Sequence, residues 1–321
     1  MIIVLLDNIE FMKKILITGG AGFLGSKLIE KLLTNKKNKV ICVDNFISSK
    51  TSHISKFNKF KNFQFLKKDI TKKIDIEADE IYNLASPASP IQYKKNPIET
   101  IKTSTIGMIN ILENAKKYKA KILQASTSEV YGDPEVNPQK ESYFGSVNTI
   151  GERSCYDESK RLAETLIYNY NNIYNLNTKI VRIFNSYGPN MIVEDGRVVS
   201  NFVYNAINDK DLILYGKGLQ TRSFCYVDDT IRGIIKMMRS KHHNPINIGS
   251  TNEITIKKLA ETILQLTNSK SRILYKKLID KDDPKKRCPD INLAKKALKW
   301  EPEVSLKEGL IKTIKYFKSI N

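Results

Sequence analysis

The segment Ile15-Leu16-Ile17-Thr18-Gly19-Gly20-Ala21-Gly22-Phe23-Leu24-Gly25 constrains this chain more than any other feature. A short apolar run leads directly into glycines at 19, 22 and 25, and helical periodicity follows. A buried strand that turns at once into a helix needs a backbone free to make a tight turn and helix and strand surfaces that approach closely, and glycine meets both needs. The same turn aims the first N–H groups of the helix at whatever lies above it, which suits a pyrophosphate. Gly19, Gly22, Phe23, Leu24 and Gly25 are therefore candidate dinucleotide contacts. The spacing is a weak signal alone, but a second β-rich run, Val40-Ile41-Cys42-Val43, ends at Asp44, roughly 20 residues on, as the dinucleotide fingerprint requires. A carboxylate there accepts hydrogen bonds from both ribose hydroxyls and repels a 2′-phosphate, so Asp44, with Asn45 and Phe46 after it, favours NAD over NADP.

From Lys13 onward, short β-branched runs alternate with helical stretches, the pattern of a parallel sheet covered by helices. Strands are expected at 15–18, 39–43, 63–67, 80–84, 121–126 and 178–184, and helices near 25–33, 98–118 and 155–174. The fold class is thus α/β, a Rossmann-type doubly wound parallel sheet with a smaller C-terminal α/β lobe for substrate. Asp69 and Ile70 close the third strand near the expected adenine, and Leu84 and Ser86 close the fourth along the dinucleotide. After Gly188 the rhythm changes: a helix near 200–208, a strand at 212–215 and the turn Gly216-Lys217-Gly218 suggest the second lobe. The expected division is 12–188 for NAD, with 224–244 returning to it, and 189–321 for the smaller lobe, which 245–249 and 256–266 would resume.

Composition removes several function classes. Lys and Arg number 53 against 34 Asp and Glu, a formal charge of +19. This excess is scattered and only nine of the cations are Arg, so a solvated surface is expected instead of a nucleic-acid-reading one. Cys42, Cys155, Cys225 and Cys288 form no CxxC pair, and His53, His242 and His243 lie in no HExxH or Ser-His-Asp setting, which leaves no metalloprotease or serine-hydrolase reading and no expected metal site. Residues 2–6 are apolar but too few for a membrane span or signal peptide, so the segment before Met12 is expected to be an extension outside the fold.

Chemistry must then come from other groups. Tyr156 and Lys160 open a helix one turn apart on one face, where an ammonium and a cationic nicotinamide would favour the phenolate as a base. Tyr-x-x-x-Lys arises by chance in a Lys-rich chain, but Thr127, Ser128 and Glu129 close the fifth strand, and carboxyl ends of strands are where open α/β sheets hold ligands.

These residues sit in long runs, among them NLASPASP at 83–90, ASTSEVYGDPEVNPQ at 125–139, GERSCYDESKRLAE at 151–164, RIFNSYGPNM at 182–191, QTRSFCYV at 220–227 and DDPKKRCPDI at 282–291. From Lys13 onward the chain resembles the extended short-chain dehydrogenase/reductase superfamily, and within it the UDP-glucuronate decarboxylases. Sugar 4,6-dehydratases carry Asp then Glu where this chain has Ser128 and Glu129. Ser104 and Cys288 depart from the family pattern, at positions with no assigned role.

The resemblance implies NAD-dependent decarboxylation of UDP-glucuronate to UDP-xylose through a 4-keto intermediate, with NAD regenerated. Tyr156, Lys160, Thr127, Ser128, Glu129 and Arg287 would be catalytic. Thr103 and Arg197 would reach the cofactor, and Lys102, Glu129, Asn185, Arg222 and Arg287 the nucleotide sugar. It also implies a homodimer packed through 98–118 and 155–174; animal and plant relatives often carry a membrane anchor, and with none read in this sequence a cytoplasmic location is expected. The competing readings are a nucleotide-sugar 4-epimerase or 4,6-dehydratase, or a non-catalytic protein that binds NAD or a polyanion.

Overall fold

A computed structural model describes residues 12–277, 284 and 286–320. The readings made for the segment before Met12 and for Asp282 lie outside the described residues. Six strands follow the sequence pattern: β1 Lys13–Thr18, β2 Asn38–Asp44, β3 Phe63–Lys67, β4 Glu80–Asn83, β5 Lys121–Thr127 and β6 Thr178–Ile183. With Ile246–Ile248 at one edge they form a seven-stranded sheet in the order (246–248)-β6-β5-β4-β1-β2-β3, every pair parallel.

Both faces of the sheet are dry, which explains the near-continuous apolar strands. Alternate side chains divide between two cores: Ile15, Ile17, Val40 and Cys42 enter one, and Leu16, Ile41 and Val43 enter the other. Helices Phe23–Leu32 and Val227–Arg239 cover the first face; Ile106–Tyr118 and Ser154–Tyr174 cover the second. The first core continues into a smaller lobe, where strands Leu212–Tyr215 and Ile273–Lys276 pair beside helices Val198–Ile207, Ile256–Thr267 and Leu306–Ser319. Strand order reverses at β1, and a crevice opens there above the carboxyl ends of β1 and β4.

Two expectations need correction. Residues 245–249 do not resume the smaller lobe: Ile246, Asn247 and Ile248 pair with Val181, Arg182 and Ile183 of β6 and extend the main sheet. A strand of three residues carries too little pattern to choose its neighbour. The long helix expected over 98–118 is broken into Pro97–Ser104 and Ile106–Tyr118. Thr100, Thr103 and Thr105 each return a hydroxyl hydrogen bond to the carbonyl four residues back, a habit that bends helices. After the break Gly107 lies against Ile70, where an added Cβ would sit 2.7 Å from the Ile70 side chain. A further helix, Pro90–Lys95, had no forecast.

One buried carboxylate gathers several of the contacts that fasten the C-terminal segment to the first domain. Asp229, 2% exposed, accepts the backbone N–H groups of Glu303 and Val304 at 2.9 Å each and the Arg232 guanidinium at 2.6 Å. The indole N–H of buried Trp300 donates to the Asp229 carbonyl at 3.0 Å. Asp229→Ala would leave the two backbone donors without their acceptor and Arg232 with Glu303 and the Glu301 carbonyl, so a loss of about 3 kcal/mol in urea unfolding is expected. A change below about 0.5 kcal/mol would show that the fastening does not matter.

Candidate active site

The glycine turn is built as its spacing demands. Gly19 has φ +69°, and an added Cβ would lie 2.7 Å from the Ala85 backbone. A Cβ on Gly25 would lie 2.3 Å from the Gly19 carbonyl, so strand turn and helix touch there. Gly22 caps helix Phe23–Leu32 with no side-chain hydrogen bond, and a Cβ on it would meet only the Gly19 carbonyl, at 3.2 Å. The helix N-terminus therefore opens upward with its N–H groups available to an anion. Beside it Asp44, 8% exposed, accepts from the Ala21 N–H at 2.9 Å, the Phe46 N–H at 2.8 Å and the Ser49 hydroxyl at 2.8 Å. A carboxylate offers about four acceptor directions, so capacity for a ribose hydroxyl remains.

A cavity of about 890 Å³ joins this turn to the acid-base residues. Its lining includes Gly19, Gly22, Phe23, Leu24, Gly25, Asp44, Asn45, Asp69, Ile70, Leu84, Ser86 and Thr103, then Thr127, Ser128, Glu129, Tyr156 and Lys160, and Asn185, Arg197, Arg222 and Arg287. Two expected residues lie elsewhere. Lys102 is exposed and paired with Glu99 at 3.0 Å, outside the lining. The Phe46 ring packs against Phe65, with centroids 5.3 Å apart, and this residue reaches the site only through its N–H to Asp44.

Tyr156 is 6% exposed and stacks face to face on Tyr93, with centroids 5.1 Å apart and planes within 6°. Burial pushes its phenol well above the ordinary range; a hydrogen bond with Thr127 opposes this, and the Glu129 charge adds to it. This corrects one expectation. Lys160 does not draw the phenol down in the chain itself, because its ammonium donates to the Ala125 carbonyl at 3.0 Å and lies 5.7 Å from the Tyr156 ring centre. Burial brings Lys160 itself down to about 8.

Glu129 is the electrostatic centre of the site. One oxygen, Oε2, accepts from Nη2 of Arg153 at 2.7 Å and from Nη2 of Arg287 at 2.7 Å. Burial alone would raise its pKa; Arg287, Arg153 and Arg222 outweigh that and hold the carboxyl below its ordinary value. Thr127 caps the short turn Ser128–Tyr131, its hydroxyl oxygen accepting the Glu129 N–H at 3.2 Å, which fixes where the acid leaves the strand. Arg287 arrives from far along the chain because Gln139 brackets its neighbours: the Cys288 N–H donates to the Gln139 side chain at 2.9 Å, and the Gln139 N–H donates to the Cys288 carbonyl at 2.8 Å.

Sequence reading missed three members. Arg153 sits one turn before Tyr156, on the side facing Glu129, and that spacing was its only signal. Asp157 follows at i+4 from Arg153, with Oδ2 3.9 Å from its Nε and Oδ1 buried without a hydrogen-bond partner. Burial and the Glu129 charge raise Asp157 to about 8. Two carboxyls near the same cation cannot both ionise cheaply; Glu129, held by two arginines, keeps the charge and Asp157 the proton. Tyr93 gave no signal at all.

A family model described as GDP-mannose 4,6 dehydratase matches residues 16–313. UDP-glucuronic acid decarboxylase 3 of Arabidopsis thaliana is 50% identical over 299 residues, 92% of this chain and 86% of that protein. UDP-glucuronic acid decarboxylase 1 of Xenopus tropicalis is 48% identical over 306 residues, 95% of this chain and 72% of that protein. Among solved structures, UDP-glucuronic acid 4-epimerase from Bacillus cereus, in complex with UDP-glucuronic acid and NAD, superposes with a TM-score of 0.87 at 28% identity, covering 96% of this chain and all (100%) of that one. UDP-glucose 4-epimerase from Thermotoga maritima, with UDP-glucose, gives 0.87 at 29% identity, covering 96% and 99%.

The division of charge between Glu129 and Asp157 has a pH signature. Asp157 has a folded pKa above its unfolded one, so the stability it contributes is complete below the ordinary carboxylate range. That contribution is lost as pH rises through about 8. Asn cannot ionise and loses nothing. The melting temperature of Asp157→Asn relative to the unmodified chain should therefore climb between pH 5 and pH 8.5, whereas a constant difference would mean Asp157 ionises normally.

Proposed function

The chain belongs to the UDP-glucuronic acid decarboxylase family of the extended short-chain dehydrogenases/reductases, and on that premise we propose how its residues convert UDP-glucuronate to UDP-xylose with NAD as cofactor. The observation that carries this reading is the Glu129 carboxylate held between Arg153 and Arg287 beside Tyr156, with the non-acidic Ser128 before it. The open helix N-terminus at Gly22 and the carboxylate of Asp44 fit the pyrophosphate and a ribose of NAD. Bound there, NAD would supply a positively charged ring that favours the phenolate and a reversible acceptor for the hydrogen of the sugar C4 with its electron pair.

Tyr156 removes the proton of the 4-hydroxyl, with Thr127 holding the same oxygen. The resulting ketone makes the neighbouring acid a β-keto acid. Loss of carbon dioxide then leaves an electron pair that the ketone oxygen receives as an enolate, held by Tyr156 and Thr127; a proton from solvent enters at C5, restoring the ketone, and the hydrogen returned to C4 with the Tyr156 proton on its oxygen completes the pentose. Arg287, with its planar fork, orients the departing carboxylate, and Glu129 fixes Arg287 until substrate arrives. Asn185 and Arg222 hold the nucleotide sugar, and Lys160, tied to the Ala125 carbonyl at 3.0 Å, stands 5.7 Å from the Tyr156 ring on the same helix face, where it can reach the nicotinamide ribose.

No helix among the described residues is long and apolar enough to cross a membrane. The four free cysteines fit a reducing cytoplasm. A homodimer is part of the same reading: helices 97–104, 106–118 and 154–174 leave Ile98, Ile101, Ile106, Ile109, Leu162 and Ile173 exposed. Apolar side chains in that number on adjoining helices favour a covered face. Light scattering should give twice the 36.7 kDa of the chain, and a monomer at micromolar concentration would remove this element.

Incubation with UDP-glucuronate should release UDP-xylose and carbon dioxide; UDP-galacturonate alone would mark an epimerase. Tyr156→Phe should lose at least about 100-fold in both oxidation and carbon dioxide release, since the ketone never forms. Arg287→Ala should keep the oxidation and lose carbon dioxide release. Normal turnover by either variant would remove that residue from the scheme.

A further inference from the structure

Two guanidinium groups converge on a single carboxylate oxygen, and they are not equivalent. Arg153 stands at the start of helix Ser154–Tyr174 and is 5% exposed. Besides Glu129 it has Asp157 at 3.9 Å and the Tyr93 ring with its centroid 6.0 Å away, so its side chain is enclosed on several sides. Arg287 is anchored through its backbone: its carbonyl accepts the Ser223 N–H at 3.3 Å, and Gln139 brackets Cys288 beside it. Among the described residues its side chain makes, beyond Glu129, a long contact to the Asn185 amide oxygen at 3.4 Å. Both are buried, but Arg153 is boxed in by Asp157 and Tyr93 as well as Glu129, whereas the guanidinium of Arg287 faces Glu129 and Asn185 on the cavity wall.

A buried carboxylate with a single cationic partner is left stranded when that partner leaves, and the cost is large enough to forbid the departure. Glu129 escapes this because either arginine can go while the other still pairs the same oxygen. We propose that Arg153 is a positioning residue that holds Glu129 paired and aimed while Arg287 swings from Glu129 to the substrate carboxylate. This rests on the decarboxylase reading above. Arg153 itself need not touch the sugar; it acts through Glu129, and Tyr93, stacked on Tyr156, ties it to the base. The two halves of the reaction, oxidation at Tyr156 and loss of the carboxyl at Glu129 and Arg287, thus share one rigid wall.

The test uses the NAD-loaded chain, with product analysis and the 340 nm absorbance of reduced nicotinamide read together. Arg153→Gln should bind UDP-glucuronate within a few-fold of normal and still build the 340 nm signal, while carbon dioxide release falls at least about 100-fold. Arg153→Lys, which keeps one donor and the charge, should recover a measurable part of that loss and covers the case in which the Gln variant does not fold. In a double-mutant cycle, Arg153→Gln added to Glu129→Gln should cost little beyond Glu129→Gln alone, because the two act as one unit. Additive losses, equal falls in the 340 nm signal and carbon dioxide release, or normal release by Arg153→Gln would each overturn the proposal. If the unmodified chain itself releases no carbon dioxide from UDP-glucuronate, the functional reading has failed instead.

Discussion

The pairing of Glu129 with arginines drawn from two distant parts of the chain is the constraint that the rest of the site is arranged to satisfy. A carboxylate that is only 8% exposed is tolerable only when cations of good geometry meet it, and one of those cations stands 158 residues away. The wall behind it is accordingly stiff. Arg182 on β6 grips Glu164 with two hydrogen bonds, at 3.0 and 2.7 Å, and donates to the Tyr131 hydroxyl at 3.0 Å. Tyr131 donates in turn to Asn247 at 2.8 Å, and Asn247 donates to the carbonyls of Gln139 and Asp290. Strand β5, the Tyr156 helix, the sheet edge and the Arg287 segment are thereby joined in one buried polar network, with the Ser128–Tyr131 turn that carries Glu129 at its centre.

Much of this was legible in the sequence, for a physical reason in each case. The glycine turn and Asp44 depend on local backbone geometry, which only certain residues permit, so spacing alone located them. The strands β1, β2, β4, β5 and β6 are largely buried, and their apolar, β-branched residues announce them; β3, half-exposed at the sheet edge, shows instead as the alternating apolar run Phe63, Phe65. Tyr156, Lys160 and Glu129 were legible because they lie at the ends of such elements, within motifs long enough to support a resemblance. Arg287 came through the resemblance alone; no local feature of its segment points toward Glu129.

What the sequence hid depends on tertiary choice. The strand Ile246–Ile248 takes its place in the sheet because β6 offers an open edge, which three residues cannot advertise. The break at Thr105 follows from the back-bonding of neighbouring threonines and from the approach of Gly107 to Ile70, and a helical pattern with 3.6 periodicity runs smoothly through both. Lys102 was expected at the sugar, but its helix turns it toward Glu99 and solvent. The burial of Tyr156 was hidden for a more general reason: chemical neighbours are visible in sequence, while desolvation, which raises the phenol in the chain alone, is visible only once the fold is known.

The same electrostatics distinguish this site from that of a dehydratase. Expelling a ring hydroxyl requires an acid that can deliver a proton to the leaving oxygen. Ser128 has no readily titrated proton, and Glu129, surrounded by Arg153, Arg222 and Arg287, is held in its charged form. Neither is suited to be that acid. Decarboxylation makes no such demand, since carbon dioxide departs neutral and leaves its electron pair behind in the ring. A guanidinium that can exchange one carboxylate for another, and a ketone next to the bond that breaks, then open the bond; of the arginines that disable Glu129 as an acid, Arg287 is the one proposed to receive the sugar's carboxylate while Arg153 stays behind.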